Sequence, residues 1–278
     1  MRVLAEPRGV EEALPARLSF RHVGGRTVVA AAFASSPLRL LTPKNHGRAA
    51  WAYTSTLGGG LVDGDDVRVR IDVGPGAAAV LASQGQNRVY RSARGCRSEL
   101  VAEVRDGGFF ALLPDPTVCF AEASYQQVLD LRLASGAAAV AVDVLAAGRS
   151  ARGERWAFRH YRGELSVRVG ERALVSETVM LDPRQGALAG RLGRFDALCS
   201  VLFVGEPLRS QCAELARRLD GAALRVRADV VEQANLLGGD ALLVRIAAVS
   251  LEEALRRVHE HLRFLPELLG DDPWARRP

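Results

Sequence analysis

The sequence predicts a mainly β chain, an irregular β-solenoid, β-helix-like or sandwich-like core of many short strands with about two C-terminal α-helices. Short Val- and Ala-rich runs recur as far as residue 181, and glycine-centred turn signals stand between them. Helical spacing of apolar residues appears only beyond residue 205. Strands recurring at short intervals with such punctuation argue for an all-β sandwich, barrel or solenoid.

Residues 26–33, 67–73, 78–82, 98–104, 128–133 and 138–145 are the clearest strand candidates. Turn chemistry separates them, at Gly24-Gly25, Gly74-Pro75-Gly76, Asp106-Gly107-Gly108, Ser135-Gly136, Arg162-Gly163 and Val169-Gly170. No motif repeats, so a tandem array is not supported. Further on, Leu208, Cys212, Leu215 and Leu219 fall on one face of a helix over 206–219. Ser250-Leu251-Glu252-Glu253 reads as a capping box, Ser250 bonding the Glu253 amide while that carboxylate reaches back. Leu251, Leu255, Val258 and Leu262 continue the stripe, and Pro266 marks its approximate end. Residues 196–204 and 241–249 read as buried strands beside these helices. The predicted organisation is a β-rich core over 1–190, a mixed α/β part over 191–270 packed on the same core as one continuous domain, and a loose tail over 271–278.

Composition narrows the function classes. At 278 residues, 48% hydrophobic and 25% charged, the chain can bury a large core. No apolar run is long enough to span a bilayer, and residues 1–15 carry Arg2, Glu6, Arg8, Glu11 and Glu12 where a leader needs an apolar stretch. A cytoplasmic protein is expected, with no membrane role. Cys96, Cys119, Cys199 and Cys212 are too far apart for a zinc pattern and are expected as free, buried thiols. The net charge of +5 is spread over scattered arginines, Lys44 being the only lysine, so nucleic acid is not an expected partner. An acidic protein partner suits mild positive charge equally well.

Catalytic signatures are lacking. There is no G-x-S-x-G elbow and no H-E-x-x-H. His259 and His261 lie two apart on a helix and cannot chelate one metal from one face, and His22, His46 and His160 have no nearby partner in sequence. The run Leu57-Gly58-Gly59-Gly60-Leu61-Val62-Asp63-Gly64-Asp65-Asp66 is followed by the strand-like Val67-Arg68-Val69, so it is neither a phosphate loop nor a dinucleotide fingerprint. Its acids lack the spacing of a calcium loop. A tight connection between strands is the plain alternative. Glycines persist in such a run where the backbone needs positive φ or a close approach.

Four blocks, in order, resemble the UreD (UreH) family of urease accessory proteins. The first holds Gly58, Gly59, Gly60, Gly64 and the acidic Asp65 of a Gly-Gly-Leu-Val-x-Gly-Asp hallmark. The second carries Gln84, Val89, Tyr90 and Arg91, with Arg88 where the family has Lys and Gly85-Gln86-Asn87 departing from its small and hydroxyl residues. The third is Leu113-Pro114-Asp115-Pro116 followed by Cys119-Phe120-Ala121. The fourth is Gly148-Arg149-Ser150-Ala151-Arg152-Gly153-Glu154-Arg155-Trp156.

The resemblance implies a non-enzymatic maturation factor for the nickel enzyme urease. It implies a scaffold that binds apo-urease, a helical UreF-type accessory protein and a GTPase UreG-type accessory protein, with Ni²⁺ reaching urease through an internal polar passage. No tightly bound cofactor is expected, only transient Ni²⁺. A conduit needs scattered acids that offset the desolvation of a divalent ion without caging it. Asp63, Asp65, Asp115, Glu154 and Glu177 are the candidate carboxylates, and Cys119 is a candidate thiolate ligand. Each has a structural alternative: Glu154 as an ion pair with Arg149, and Cys119 as a buried small hydrophobe. The competing reading is an all-β carbohydrate-binding or hydrolytic protein with a groove site, which calls for paired acids and exposed aromatics.

Overall fold

Two sheets face one another, and helices cover the outer face of one of them. The computed structural model describes residues 15–44, 47–221 and 227–275. His46, nearly all of the segment read for a leader and the last three residues of the expected tail lie outside the described residues. The strands are β1 (Ala16–Val23), β2 (Arg26–Phe33), β3 (Leu38–Leu41), β4 (Ala50–Thr56), β5 (Asp66–Val73), β6 (Ala78–Ser83), β7 (Asn87–Val89), β8 (Cys96–Val104) and β9 (Phe109–Leu113). They continue with β10 (Thr117–Cys119), β11 (Ser124–Leu133), β12 (Ala138–Ala146), β13 (His160–Val169), β14 (Arg172–Leu181), β15 (Ala197–Val204), β16 (Val230–Leu236) and β17 (Ala241–Ala248). The helices are α1 (Leu188–Leu192), α2 (Arg209–Asp220), α3 (Leu251–His261) and α4 (Leu265–Leu269).

From β4 to β13 the chain winds as a solenoid. It alternates between a seven-stranded sheet ordered β14-β13-β11-β8-β5-β1-β2 and a ten-stranded sheet running β16-β17-β15-β12-β9-β6-β4-β3, with β10 beside β12 and β7 beside β10. Strands β5, β8, β11 and β13 pair in parallel in one sheet, and β4, β6, β9 and β12 do so in the other. Antiparallel pairs β1·β2 and β13·β14 finish the first sheet, and β15, β17 and β16 extend the second.

Register explains the unequal look of the strands. In the ten-stranded sheet Ala52, Leu81, Leu112, Ala141, Leu202 and Leu243 are opposite one another and point into the gap between the sheets. One residue out of phase, Trp51, Val80, Ala111, Val140, Phe203 and Leu242 form a second ladder on the other face. There they meet Leu208, Cys212 and Leu215 at the start and middle of α2 and Ala254, Val258 and Leu262 at α3. A sheet covered on both faces reads as continuous apolar sequence, as β12 does. The seven-stranded sheet is covered on one face only, so β5 alternates buried and part-exposed residues.

The Ser250 cap forms, Glu253 N donating to Ser250 Oγ at 3.2 Å. The reciprocal arm of the box is replaced: the Glu253 carboxylate is held by Arg256 Nε at 2.9 Å and by Arg257. Pro266 does not end α3; it opens α4, where a first-turn proline forfeits no helical hydrogen bond. Part of the expected loose tail is packed, with Trp274 stacked on His259 at 4.0 Å between centroids. All four cysteines are free and buried.

The two ends of the solenoid differ. At one end the connections 74–77, 105–108 and 134–137 are tight, and they stack through Gly76 N to Asp106 O (3.0 Å) and Gly107 N to Gly136 O (3.2 Å). At the other end the connections 57–65, 84–95, 114–123 and 147–159 are wide. All four family-like blocks of the sequence fall at this wide end.

Candidate functional site: stacked connections and two internal cavities

The wide connections form a ladder. Leu61 N donates to Arg88 O at 2.7 Å and Tyr90 N to Leu61 O at 2.9 Å, joining the first block to the second. Phe120 N donates to Val89 O at 2.9 Å, joining the second to the third. Close approach explains the glycines. A Cβ at Gly60 would lie 2.6 Å from Arg88 O and 2.7 Å from the Tyr90 ring, and one at Gly148 (φ +112°) would collide with the Glu154 carbonyl. Gly58, Gly59, Gly64 and Gly153 also adopt positive φ. Tyr90 meets Phe120 edge-on at 5.2 Å, and the Arg149 guanidinium sits 4.1 Å over the same Phe120 ring.

Several candidate acids are absorbed by this ladder. Asp65 Oδ2 accepts from Val62 N at 2.7 Å and so closes its own turn. Asp63 accepts from the amides of Arg94 (2.7 Å) and Gly95 (3.2 Å) and pairs with the Arg94 guanidinium. Desolvation raises its pKa, but these donors together prevail and hold the carboxyl below its ordinary range. Glu154 is bound at both oxygens by Arg149, the largest reason its pKa is lowered, and Oε2 also accepts from Ala121 N at 3.2 Å. Cys119 is buried, and desolvation pushes its thiol far up, so it sits as a small hydrophobe. None of Asp63, Asp65, Glu154 and Cys119 lines either large cavity. Arg91 is exposed.

The interior holds two cavities between the sheets, of about 320 Å³ and about 400 Å³. The smaller opens beneath the wide connections, where Gln84, Pro114 and Asp115 line it. Asp115 Oδ2 accepts from Ser83 Oγ (3.1 Å) and Gly85 N (3.0 Å). The larger lies towards β14 and β17, where Glu177 and Arg245 line it. Both cavities share Gln127, Leu129, Val142 and Asp143 as wall.

That shared wall carries the least expected group in the molecule. Asp143 lies on β12 within a run of apolar residues and, in phase with Ala141, points into the gap. Its side chain is half-buried and faces both cavities. Gln127 Nε2 donates to its Oδ1 at 3.0 Å, and the Tyr161 hydroxyl is its other side-chain partner. Burial is the largest influence and raises its pKa, the hydrogen bonds opposing only in part. A polar chain leads to it from the smaller cavity. Asn87 Nδ2 reaches Tyr125 OH at 3.2 Å, and Tyr125 OH reaches Gln127 Oε1 at 3.4 Å. The signal in sequence was one carboxylate inside an apolar strand, Val142-Asp143-Val144. Among the described residues no three His, Cys, Asp or Glu side chains cluster to hold a metal ion.

His160, His259 and His261 make structural contacts. His261 Nε2 lies 2.7 Å from Glu232 Oε1 and its Nδ1 3.0 Å from an Arg218 nitrogen. His160, expected without a partner, has Nδ1 3.8 Å from Asp182 Oδ2. No described helix is long and apolar enough to cross a membrane.

Comparison with known proteins places this architecture. The family model described as "UreD urease accessory protein" matches residues 14–278. The chain belongs to the UreD family. Among its relatives, the "Urease accessory protein UreD" of Sorangium cellulosum is 46% identical over 260 residues, 94% of this chain and 83% of that protein. The protein of the same name from Anaeromyxobacter is 38% identical over 264 residues, covering 94% of this chain and 89% of the relative. The "Urease accessory protein D" of Oryza sativa subsp. indica is 30% identical over 282 residues, 91% of this chain and 92% of its own. In this UreD-family chain the family-like blocks build the wide end, and the cavities lie behind it.

Proposed function

We propose that this chain is a non-enzymatic urease maturation factor, a scaffold that helps deliver Ni²⁺ to apo-urease through its interior. The observation that carries the reading is the pair of cavities sharing a wall at Asp143. Ni²⁺ is cargo here, so binding should be weak at every step. An interior carboxylate with neutral partners, Gln127 and Tyr161, offers charge without a cage. Asp115 near one opening and Glu177 near the other flank it with further acids. Family membership supports partners of the helical UreF type and the GTPase UreG type, together with apo-urease itself. These partners, and the cytoplasmic setting they share, belong to the proposal.

The groove-binding alternative finds little here. Trp51 and Trp156 are buried in the two cores and Trp274 is stacked on His259, so no described tryptophan forms an open sugar platform. The test is co-expression with the urease subunits and accessory proteins of its own organism, scored for co-purification and nickel-dependent urease activity. Activity lost on omitting the chain, and again on Asp143→Asn with the complex intact, supports delivery through the interior. Full activity without the chain sinks the maturation role.

A further inference from the structure

The larger cavity is crossed at its outer side by an ion pair that no catalytic or folding role explains. Arg245 on β17 places Nη2 2.6 Å from Glu177 Oε1 on β14, so the pair joins the two sheets. Both side chains line the cavity, and both reach solvent, Arg245 at 45% exposure and Glu177 at 23%. Among the described lining residues Arg245 is the only cation. The other acids of this lining are already engaged, Glu164 by Arg162 and Gln126 at 2.8 Å and Asp143 by Gln127. A second bridge, Arg172 to Asp240 at 3.0 Å, ties the start of β14 to the turn before β17.

We infer that the Arg245–Glu177 pair is a displaceable latch on the larger cavity: a divalent cation arriving at Glu177 replaces the guanidinium and lets the mouth open. The inference rests on the reading of this cavity as part of a cation passage. The chemistry favours exchange. A solvent-exposed ion pair is weak and screened by salt, and a doubly charged ion at the same distance attracts the carboxylate twice as strongly as the guanidinium does. Arg245 leaves without being stranded, because its long stem can stay on the sheet while the head turns to water. The Arg172–Asp240 bridge remains as the fixed end of the opening.

A thiol at position 200 reports on this directly. Ser200 lines the same cavity, is half-buried and stands in register with Asp143 and Arg245, so Ser200→Cys puts a thiol behind the latch. Cys96, Cys119, Cys199 and Cys212 are buried, Cys199 beneath the helices, and serve as internal standards. The Ser200→Cys chain is treated with iodoacetamide and modification at each cysteine is followed by peptide mass spectrometry. Added to it, Arg245→Gln should speed alkylation at position 200 roughly tenfold, as local opening becomes more populated. NiCl₂ should speed the Ser200→Cys chain in the same way against NaCl of equal ionic strength, and should add nothing once Glu177→Gln is present. The exchanged pair Glu177→Arg with Arg245→Glu should restore the slow rate, which separates the latch from general loosening. Equal rates in Arg245→Gln and the parent, or no response to Ni²⁺, overturn the latch. Urease activation with Asp143→Asn keeps the two ideas apart. Lost activation with flat labelling at position 200 removes the latch alone, and responsive labelling with full activation removes the passage alone.

Discussion

Gln127 Nε2 donates a 3.0 Å hydrogen bond to Asp143 Oδ1, joining β11 of one sheet to β12 of the other across the interior. The amide satisfies one carboxylate oxygen without neutralising the charge. Asp143→Asn therefore removes charge while keeping volume. It should leave partner association intact and slow nickel-dependent urease activation on the order of tenfold, about 1.4 kcal/mol in the transfer barrier. Activation rates in the reconstituted complex measure this, and an unchanged rate removes Asp143 from the passage.

The same group makes a pH prediction of definite sign. Burial raises the Asp143 pKa above its ordinary 3.8. Below 3.8 folded and unfolded chains are both protonated at this site and the group costs nothing. As pH rises past that value the unfolded chain ionises first, and stability falls until the folded-state pKa is passed. Asp143→Asn lacks this loss, so its advantage over the parent should be absent near pH 3 and grow as pH rises to neutral. Paired melting curves across that range give the comparison; an advantage independent of pH contradicts it.

Asp182 predicts the opposite slope. The Arg184 side chain, then its amide, holds the Asp182 carboxyl down to about 2. Its contribution is complete above the ordinary 3.8 and is lost as pH falls towards about 2. Asp182→Asn should lower the melting midpoint at pH 7, and the difference should close in acid. Identical midpoints at pH 7 would dismiss the interaction.

Gly60→Ala should destabilise the fold by about 1–3 kcal/mol, because the added methyl meets backbone at Arg88 and the ring of Tyr90. Urea titration tests it, with the midpoint falling and the slope unchanged. A variant as stable as the parent would mean that the ladder of wide connections is not tightly seated.

Glu154→Gln separates support from transport. Its carboxylate is committed to Arg149 and the Ala121 amide and does not line a cavity. The expected result is a lower melting midpoint with activation per folded complex unchanged. A specific fall in activation at unaltered stability would return Glu154 to the passage.

The fold was largely legible because register writes itself into sequence. The alternation of β5, the apolar runs of β12, β15 and β17 and the stripes of α2 and α3 each follow from which faces are covered. The missed pieces were short or weakly patterned: α1 and α4 have five residues each, too few for a period, and the seven residues of β16 show no clean alternation. The site was less legible. Glycine-rich, charged blocks drew attention to Asp63, Asp65 and Glu154, whose charges close turns and pair with arginines. Asp143 looked like an imperfection in a buried strand, because only the pairing of two sheets reveals what lies across from it.

The double covering of the ten-stranded sheet has a consequence for synthesis. The Trp51, Val80, Ala111, Val140 and Phe203 rungs of its outer ladder are in place once β15 has left the ribosome, yet α3 and α4, which shield that face, are made from residues 251–269. A nascent chain must therefore hold an oily wall open to solvent for the time taken to translate the last stretch. A stop codon before Leu251 should yield inclusion bodies instead of a shortened working protein.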